Sequence, residues 1–502
     1  MELTSKDRRN LWLILITALA VRLAMLPFSQ QIEADGITRI WHAMEWLDAP
    51  WLIWYGRQGP LHLYLLASSL VIGKSPLWAP IVLHVFFSAA TAVLVYLFTR
   101  VEFETEAGSL IAGLGFALYP VAIRNSLTAM PETPFVFFLA LSMYFLARGM
   151  RSPGSYKFEV LAGLSLTLAG MIRFEGWEFI PLLGILLIRD FKKMVVFGLS
   201  AAIFPLAWLA GNQIHYGDAL YSMHWSTNWE LNVAGNNEDL TMYDYIERTV
   251  YFPAVVLLGL TPLTALLAVW GAVKALFKKQ AVARWLVPLV GLLAAMTLFA
   301  IRGSLDTQAR YTISLSLILL PYLAWLYRDW KLEERKKQIV FGLALVLMIP
   351  LGYLGNLVSP ARNFYTAAIN PIPQLRENSR EMATGILDAI DLYQGDEDYG
   401  LISDFYSYRE TYYVAMSTGL NPDDIFIAPG VVHEELSTDV LERVLTNHPE
   451  GLLILLEDSD FSQQVDLSVE GQAKIMGVVL HLTELGVVEG PAGTVRVYQF
   501  DQ

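Results

Sequence analysis

From Leu77 to Phe98 the chain reads LWAPIVLHVFFSAATAVLVYLF, 22 residues without an Asp, Glu, Lys or Arg, and Arg100 closes the run. That length and composition suit an α-helix crossing the roughly 30 Å hydrocarbon core of a bilayer. Similar apolar runs recur through the first 360 residues, each ended by a short charged or Pro/Gly-containing segment. With 55% hydrophobic and 17% charged residues in 502, and a mean hydropathy of +0.43, the composition does not suit a soluble globular chain. It predicts a polytopic α-helical membrane protein.

Eleven spans are expected: Leu11 to Phe28, Leu77 to Phe98, Ser109 to Ile123, Pro134 to Ala147, Phe158 to Ile172, Glu178 to Ile188, Met194 to Gly211, Tyr251 to Val273, Trp285 to Ile301, Thr312 to Tyr327 and Ile339 to Asn356. Lys6, Arg8 and Arg9 precede the first, and no small-residue cleavage pattern follows before Gln30, so it reads as a retained helix. Leu61 to Gly73 is apolar but only 13 residues long, which marks it as juxtamembrane or re-entrant. Leaving it out of the count puts 19 basic residues on the cytoplasmic side and eight outside. The positive-inside bias then predicts a cell-membrane protein with a cytoplasmic N-terminus and an outward-facing C-terminal part.

Charge divides the chain again. Residues 360–502 carry 24 acidic and 7 basic side chains, a net of −17, against +4 for residues 1–359. Two domains are implied, a mildly basic membrane module over 1–359 and an acidic soluble domain over 360–502. In the latter, helices are expected at Gln374 to Tyr393, Ser407 to Thr418, Ser437 to Thr446 and Gly471 to Leu485. Strands are expected at Gly400 to Ser403, Ile425 to Ile427, Leu452 to Leu456 and Val495 to Phe500. That alternation predicts a small α/β domain. Asp458-Ser459-Asp460 has a spacing that can hold a divalent metal, and equally reads as a solvated strand end. The chain has no cysteine, which removes disulfide, thiolate and Cys-metal chemistry, and it shows no nucleic-acid signature.

Seven of the eight outer basic residues are arginines: Arg39, Arg57, Arg124, Arg173, Arg248, Arg302 and Arg310. Their planar forks suit phosphate, although each can instead snorkel to headgroups or pair with a local acid. Arg22 lies inside the first span, where a charge is most expensive. Between Asn212 and Arg248, Trp225, Trp229, Tyr243 and Tyr245 stand among Asn228, Asn232, Asn236 and Asn237, a mixture that suits either sugar contact or interfacial anchoring. His84 and His481 sit in apolar runs and are expected to be packed.

After the first span come Glu33 and Asp35, then Ile37, Ile40, Trp41, Met44 and Leu47 at helical spacing. This is an amphipathic helix lying in the interface with two carboxylates at its start. Asp35 is either its N-cap or a reactive acid beside the membrane. Next comes Gly56-Arg57-Gln58-Gly59-Pro60-Leu61-His62-Leu63-Tyr64, leading into the short apolar helix.

This order of elements resembles the GT-C superfamily of glycosyltransferases, and within it glycosyltransferase family 39, the protein O-mannosyltransferase and aminoarabinose-transferase type. Arg124 to Thr133, Gly163 to Gly176, His215 to Asp218 and Arg310-Tyr311 resemble further family segments in the same order, over about the first 330 residues. The resemblance implies a GT-C-like membrane fold and transfer of a monosaccharide from a polyprenyl-phosphate donor to a lipid, glycan or protein acceptor. It also implies Asp35 as base, with inversion at the anomeric carbon. On the matching positions it assigns Glu33 and Glu132 beside that base, Arg124, Arg173, Arg302 and Arg310 to the donor phosphate, and Arg57, His62, Tyr64 and Glu175 to substrate. Glu132 and Glu175 also have local readings, at a helix start and beside Arg173 respectively.

The sequence departs from the family at Arg57-Gln58-Gly59-Pro60, which lacks the acid that helps hold a metal in the aminoarabinose enzymes. Glu33, Asp35 and His62 could supply oxygen and nitrogen ligands for a divalent metal instead. Two other classes stay open, a transporter or flippase for an anionic lipid-linked sugar and a non-catalytic membrane scaffold. The first would place acids at the midplane on broken helices in matching halves, a pattern not seen here.

Overall fold

The computed structural model describes residues 4–501, apart from 31, 33, 233–240, 330–332, 359–369, 375–376, 394, 396–398, 404–407, 421–423, 428–437, 458, 460, 469–470 and 491–492. Its first helices are α1 (Ser5–Met25), α2 (Ala34–Asp48), α3 (Leu61–Gly73), α4 (Trp78–Phe103), α5 (Glu106–Ala117), α6 (Pro120–Leu127) and α7 (Glu132–Met150). Then come α8 (Lys157–Gly170), α9 (Glu175–Gly184), α10 (Phe191–Ala201), α11 (Ile203–Tyr216), α12 (Tyr221–Asn232), α13 (Met242–Gly259) and α14 (Pro262–Phe277). The helical part closes with α15 (Leu286–Ile301), α16 (Thr312–Leu319), α17 (Tyr322–Asp329), α18 (Glu334–Val346) and α19 (Met348–Val358).

Among the described residues six helices are long and apolar enough to cross a membrane: Ser5–Phe28, Trp78–Phe103, Glu132–Met150, Ala281–Ile301, Ala309–Asp329 and Glu334–Leu354. Three bent pairs, α5 with α6, α10 with α11 and α13 with α14, raise the number to nine if each is one span. The chain is thus a multi-pass membrane protein. The two further spans expected from the sequence correspond to α8 and α9, which have 14 and 10 residues and fall short of the usual crossing length.

Two compact units form. The first comprises Met1–Pro27, His42–Ser68 and Val82–Ile372; the second comprises Phe28–Trp41, Ser69–Ile81 and Pro373–Gln502. In the first unit α1 turns one stripe inward, Asp7, Asn10, Ile14, Ala18 and Arg22, at spacings of three and four that keep them on one face. Asp7 accepts from Tyr96 at 2.5 Å and from Arg100 at 3.0 Å, two positions one turn apart on α4. Buried Glu159 pairs with Lys193 at 2.8 Å and ties α8 to α10. Most of the core is apolar and aromatic, with Trp285, Tyr96, Phe103, Phe179 and Phe197 fully enclosed.

The second unit carries a seven-stranded mixed sheet. Its strands are β1 (Gly400–Ser403), β2 (Ile425–Ile427), β3 (Glu450–Leu456), β4 (Asp466–Ser468), β5 (Gln472–Ile475), β6 (Val478–Gly490) and β7 (Gly493–Asp501), in the order β2-β1-β3-β7-β6-β5-β4. β1 runs parallel to β2 and β3, and all other pairings are antiparallel. Helices α20 (Glu377–Ile390), α21 (Tyr408–Thr418) and α22 (Thr438–Asn447) alternate with the parallel strands. Ile402, Phe426, Leu453 and Phe500 share one core with Leu441 and Val444 of α22.

One expectation fails here. Gly471 to Leu485 is not a helix but the β5–β6 hairpin, closed by Met476 and Gly477 at φ of 49° and 94°. Two consecutive left-handed residues make the tight turn that matches strand twist, and the flanking Ala473, Ile475 and Leu480 are buried on the strand period. His481 consequently lies exposed on β6 beside Gln472, not packed in an apolar face.

Candidate functional site

Two segments distant in sequence first meet through their backbones. A Cβ on Gly59 would come within 2.3 Å of Met171 O, and Leu61 N donates to that same carbonyl at 3.0 Å. Only glycine allows the approach, so the Gly-Pro-Leu-His segment lies directly on the turn that follows α8. That turn is itself tight. Arg173 N donates to Ala169 O and Gly176 N to Arg173 O, both at 3.0 Å, and a Cβ on Gly176 would stand 2.7 Å from Gly170 N.

Arg173 leaves this turn and meets two acids. Its Nη1 donates to Glu132 Oε1 at 2.5 Å, its Nε donates to Glu175 Oε1 at 3.0 Å, and Nη2 reaches the same Glu175 oxygen. Arg310 Nε lies 3.2 Å from Glu132 Oε1, so one carboxylate oxygen serves both guanidinium groups. Tyr311 brings its ring to 4.9 Å from the Arg173 guanidinium carbon and 5.5 Å from that of Arg310. Glu132 is 3% exposed at its side chain, and its Oε2 has no hydrogen-bond partner among the described residues.

Two arginines and two glutamates make the cluster neutral as a whole. Burial opposes the charge on Arg173, but Glu175 and Glu132 outweigh it and hold the guanidinium protonated beyond its ordinary range. Burial likewise pushes the Glu175 carboxyl up, and Arg173 more than reverses this, holding it below the usual carboxylate range.

Local structure explains the convergence. Glu132 is the first residue of α7, reached from α6 through a turn in which Ala129 takes φ of 52° and Met130 N donates to Asn125 O. Arg310 and Tyr311 form the 3-10 turn before α16. Each charged group thus sits at a helix end, where backbone groups left without intrahelical partners accept polar neighbours.

The remaining expected residues lie elsewhere. Arg124 projects from α6 and donates to Ile372 O at 3.4 Å. Arg302 follows α15 and is exposed. Arg57 is exposed and stands over the Trp225 ring at 4.8 Å. Tyr64 accepts from Ile53 N at 2.7 Å and packs on Trp46. His62 is fully buried, its Nε2 2.9 Å from Nε2 of His84. Among the described residues no three His, Asp or Glu side chains come together to hold a metal ion.

Asp35 stands exposed within the first turn of α2, after its start at Ala34, and so is not the N-cap. Glu33, Asn236, Asn237, Asp458 and Asp460 lie outside the described residues.

Sequence reasoning did not assign three features. Tyr311 was legible only as half of an Arg-Tyr pair, and its ring carries the two guanidinium groups. The His62–His84 contact joins two helices with no periodicity linking them. Asn212 and Ser222 clamp Gly56: Gly56 N donates to Asn212 Oδ1 at 2.8 Å, and Ser222 Oγ donates to Gly56 O at 2.5 Å while accepting from Trp208 Nε1 at 2.9 Å.

Residues 57–210 match the family model described as dolichyl-phosphate-mannose-protein mannosyltransferase. No curated protein matches the chain. Among solved structures, ArnT from Cupriavidus metallidurans in the apo state superposes with a TM-score of 0.57 at 11% identity, over 97% of each chain. The same protein bound to undecaprenyl phosphate gives 0.56 at 11% identity, again over 97% of each. The Archaeoglobus fulgidus oligosaccharyltransferase gives 0.50 at 13% identity, covering 88% of this chain and 67% of its own. At such identities the likeness is one of fold, and the chain has the GT-C fold with its resemblance to glycosyltransferase family 39 carried by residues 57–210.

Proposed function

We propose that this protein is a membrane glycosyltransferase that moves a monosaccharide from a polyprenyl-phosphate donor to a lipid, glycan or protein acceptor at the outer membrane face. The observation that carries the reading is the meeting of Glu132, Arg173, Glu175, Arg310 and Tyr311 from three separate chain segments. Supporting it, the chain shares its fold with a protein whose structure contains bound undecaprenyl phosphate.

In this reading an acceptor hydroxyl oxygen attacks the anomeric carbon from the side opposite the phosphate. Asp35 takes the hydroxyl proton, the new glycosidic C–O bond forms, and the anomeric C–O bond to phosphate breaks with inversion. Its electron pair leaves on the polyprenyl phosphate, whose negative charge rises by one. Asp35 is exposed on α2. Glu33 and Glu132 are assigned to catalysis with it. Arg173 and Arg310, oriented in advance by Glu132 and Glu175, present fixed donors to the departing phosphate, with Arg124 and Arg302 as further cations. Arg57, His62, Tyr64 and Glu175 complete the substrate set, His62 through its place in the 57–64 segment, since its ring faces His84.

Residues 1–359 form the catalytic module and 360–502 an acidic extracytoplasmic domain, with the N-terminus cytoplasmic; the 19 to 8 division of basic residues supports this orientation. The test is binding in detergent of a polyprenyl phosphate and of the matching polyprenol without its phosphate. The phosphate form is expected to bind at least tenfold tighter. Equal binding of the two would sink the reading.

A further inference from the structure

Arg22 is fully enclosed within a membrane-spanning helix, the costliest setting for a charge. It has no carboxylate partner among the described residues. Its guanidinium is satisfied by neutral groups: Nη1 donates to Ala18 O at 3.0 Å and to Ala117 O at 2.9 Å, while Nε and Nη2 donate to Ser88 Oγ at 3.0 and 2.7 Å. Ser88 Oγ in turn donates to Ala122 O at 3.4 Å.

Those acceptors bracket one feature, the 47° break between α5 and α6. Ala117 ends α5, so its carbonyl is one of the last of that helix, which the helix end leaves without an intrahelical partner and which accepts from Arg22 instead. Ala122 lies in the first turn of α6. The positive guanidinium therefore sits on the C-terminal end of a helix, where backbone dipoles supply the compensation a carboxylate would otherwise give. Arg22 holds the α5 side directly and the α6 side through Ser88.

The break leads toward the cluster along two routes. α6 carries Arg124 and passes through the Ala129 turn to Glu132. Within the break, Tyr119 OH lies 3.2 Å from Thr312 Oγ1 and accepts from Ser316 Oγ at 3.1 Å, and Thr312 immediately follows Arg310 and Tyr311. Both carriers of the Glu132–Arg310 contact are anchored to the bend that Arg22 closes.

We infer that Arg22 is a positioning residue, a charged latch on the α5–α6 break that sets the placement of Glu132 and Arg310. This rests on the proposed glycosyltransferase reading for its catalytic consequence, but its structural consequence can be read without any activity.

The experiment compares full-length wild type with Arg22→Met, Arg22→Lys and Ser88→Ala in detergent. Hydrogen exchange of the α6 peptide, corrected for intrinsic pH dependence, is measured at pH 6 and pH 9, together with turnover of polyprenyl-phosphate sugars. Arg22→Met is expected to speed α6 exchange at least tenfold and to lower turnover on the order of 100-fold, as misplacement near 1 Å can. A buried lysine without a carboxylate loses its proton far below its usual pKa of about 10.4. Arg22→Lys should therefore match wild type at pH 6 and Arg22→Met at pH 9, a dependence that mere filling of space would not produce. Ser88→Ala should speed α6 exchange at both pH values.

Wild-type α6 exchange in Arg22→Met, or an Arg22→Lys indifferent to pH, would overturn the inference. If Arg22→Met does not fold, Arg22→Lys and Ser88→Ala decide it alone. If wild type turns over no donor while the exchange pattern holds, the glycosyltransferase reading falls and the latch stands.

Discussion

The Glu132 carboxylate meets the Arg173 guanidinium at 2.5 Å across 41 residues of sequence, and neither side chain is more than 14% exposed. Glu132 opens a helix and Arg173 ends a turn, so the contact joins two helix ends. Because Arg310 shares the same oxygen, Glu132 is the hub on which two cations are oriented.

Replacing that hub by Glu132→Gln keeps the shape and removes the charge, leaving two buried arginines with Glu175 as their only acid in the cluster. Breaking one partner of a buried ion pair costs about 3 kcal/mol or more. Thermal unfolding in detergent is expected to fall accordingly, and donor turnover to drop about 100-fold. Wild-type stability in this variant would show that the contact carries no load.

Acid titration addresses Glu175. Its folded carboxyl is held below the ordinary value by Arg173, so its stabilising contribution is present above the unfolded pKa of about 4.3 and lost as pH falls through the lower folded value. The melting-temperature difference between wild type and Glu175→Gln should stay constant from pH 8 to pH 5 and shrink below pH 4. A difference that already vanishes between pH 7 and pH 5 would assign Glu175 the opposite shift.

Gly59→Ala tests the seating of the 57–64 segment. Its new methyl would meet the Met171 carbonyl, which is backbone and yields only if the segment lifts. A loss of about 1–3 kcal/mol is expected, with loss of turnover. Gly198→Ala is the control: the site is helical and nothing lies within 4 Å, so it should stabilise by about 0.5–1 kcal/mol. Equal effects of the two would argue against a close approach at Gly59.

Much of this was readable before the fold, for identifiable reasons. Hydrophobic runs bounded by charge are a one-dimensional signal, so the Trp78–Phe103 helix and the short Leu61–Gly73 helix appear where the sequence puts them. Arg173 and Glu175 are two residues apart, and their pairing was legible as local. The Glu132–Arg310 contact was not, since nothing in either segment encodes the other. The β5–β6 hairpin is not legible because Val478 to Leu482 fits both a helix face and a strand, and only Gly477 marks the turn. His62 was grouped with the substrate residues on its motif alone, while its actual partner, His84, lies a helix away.

The most direct test of the account is release of polyprenyl phosphate from a labelled polyprenyl-phosphate sugar by purified protein with a crude membrane acceptor extract, wild type against Asp35→Asn. Asp35 is exposed in the first turn of α2, and the melting temperature of each protein, measured in the same detergent, separates loss of folding from loss of release. Loss of a general base is expected to slow release by about 10²- to 10⁴-fold. Wild-type release by Asp35→Asn would contradict the assignment of the base.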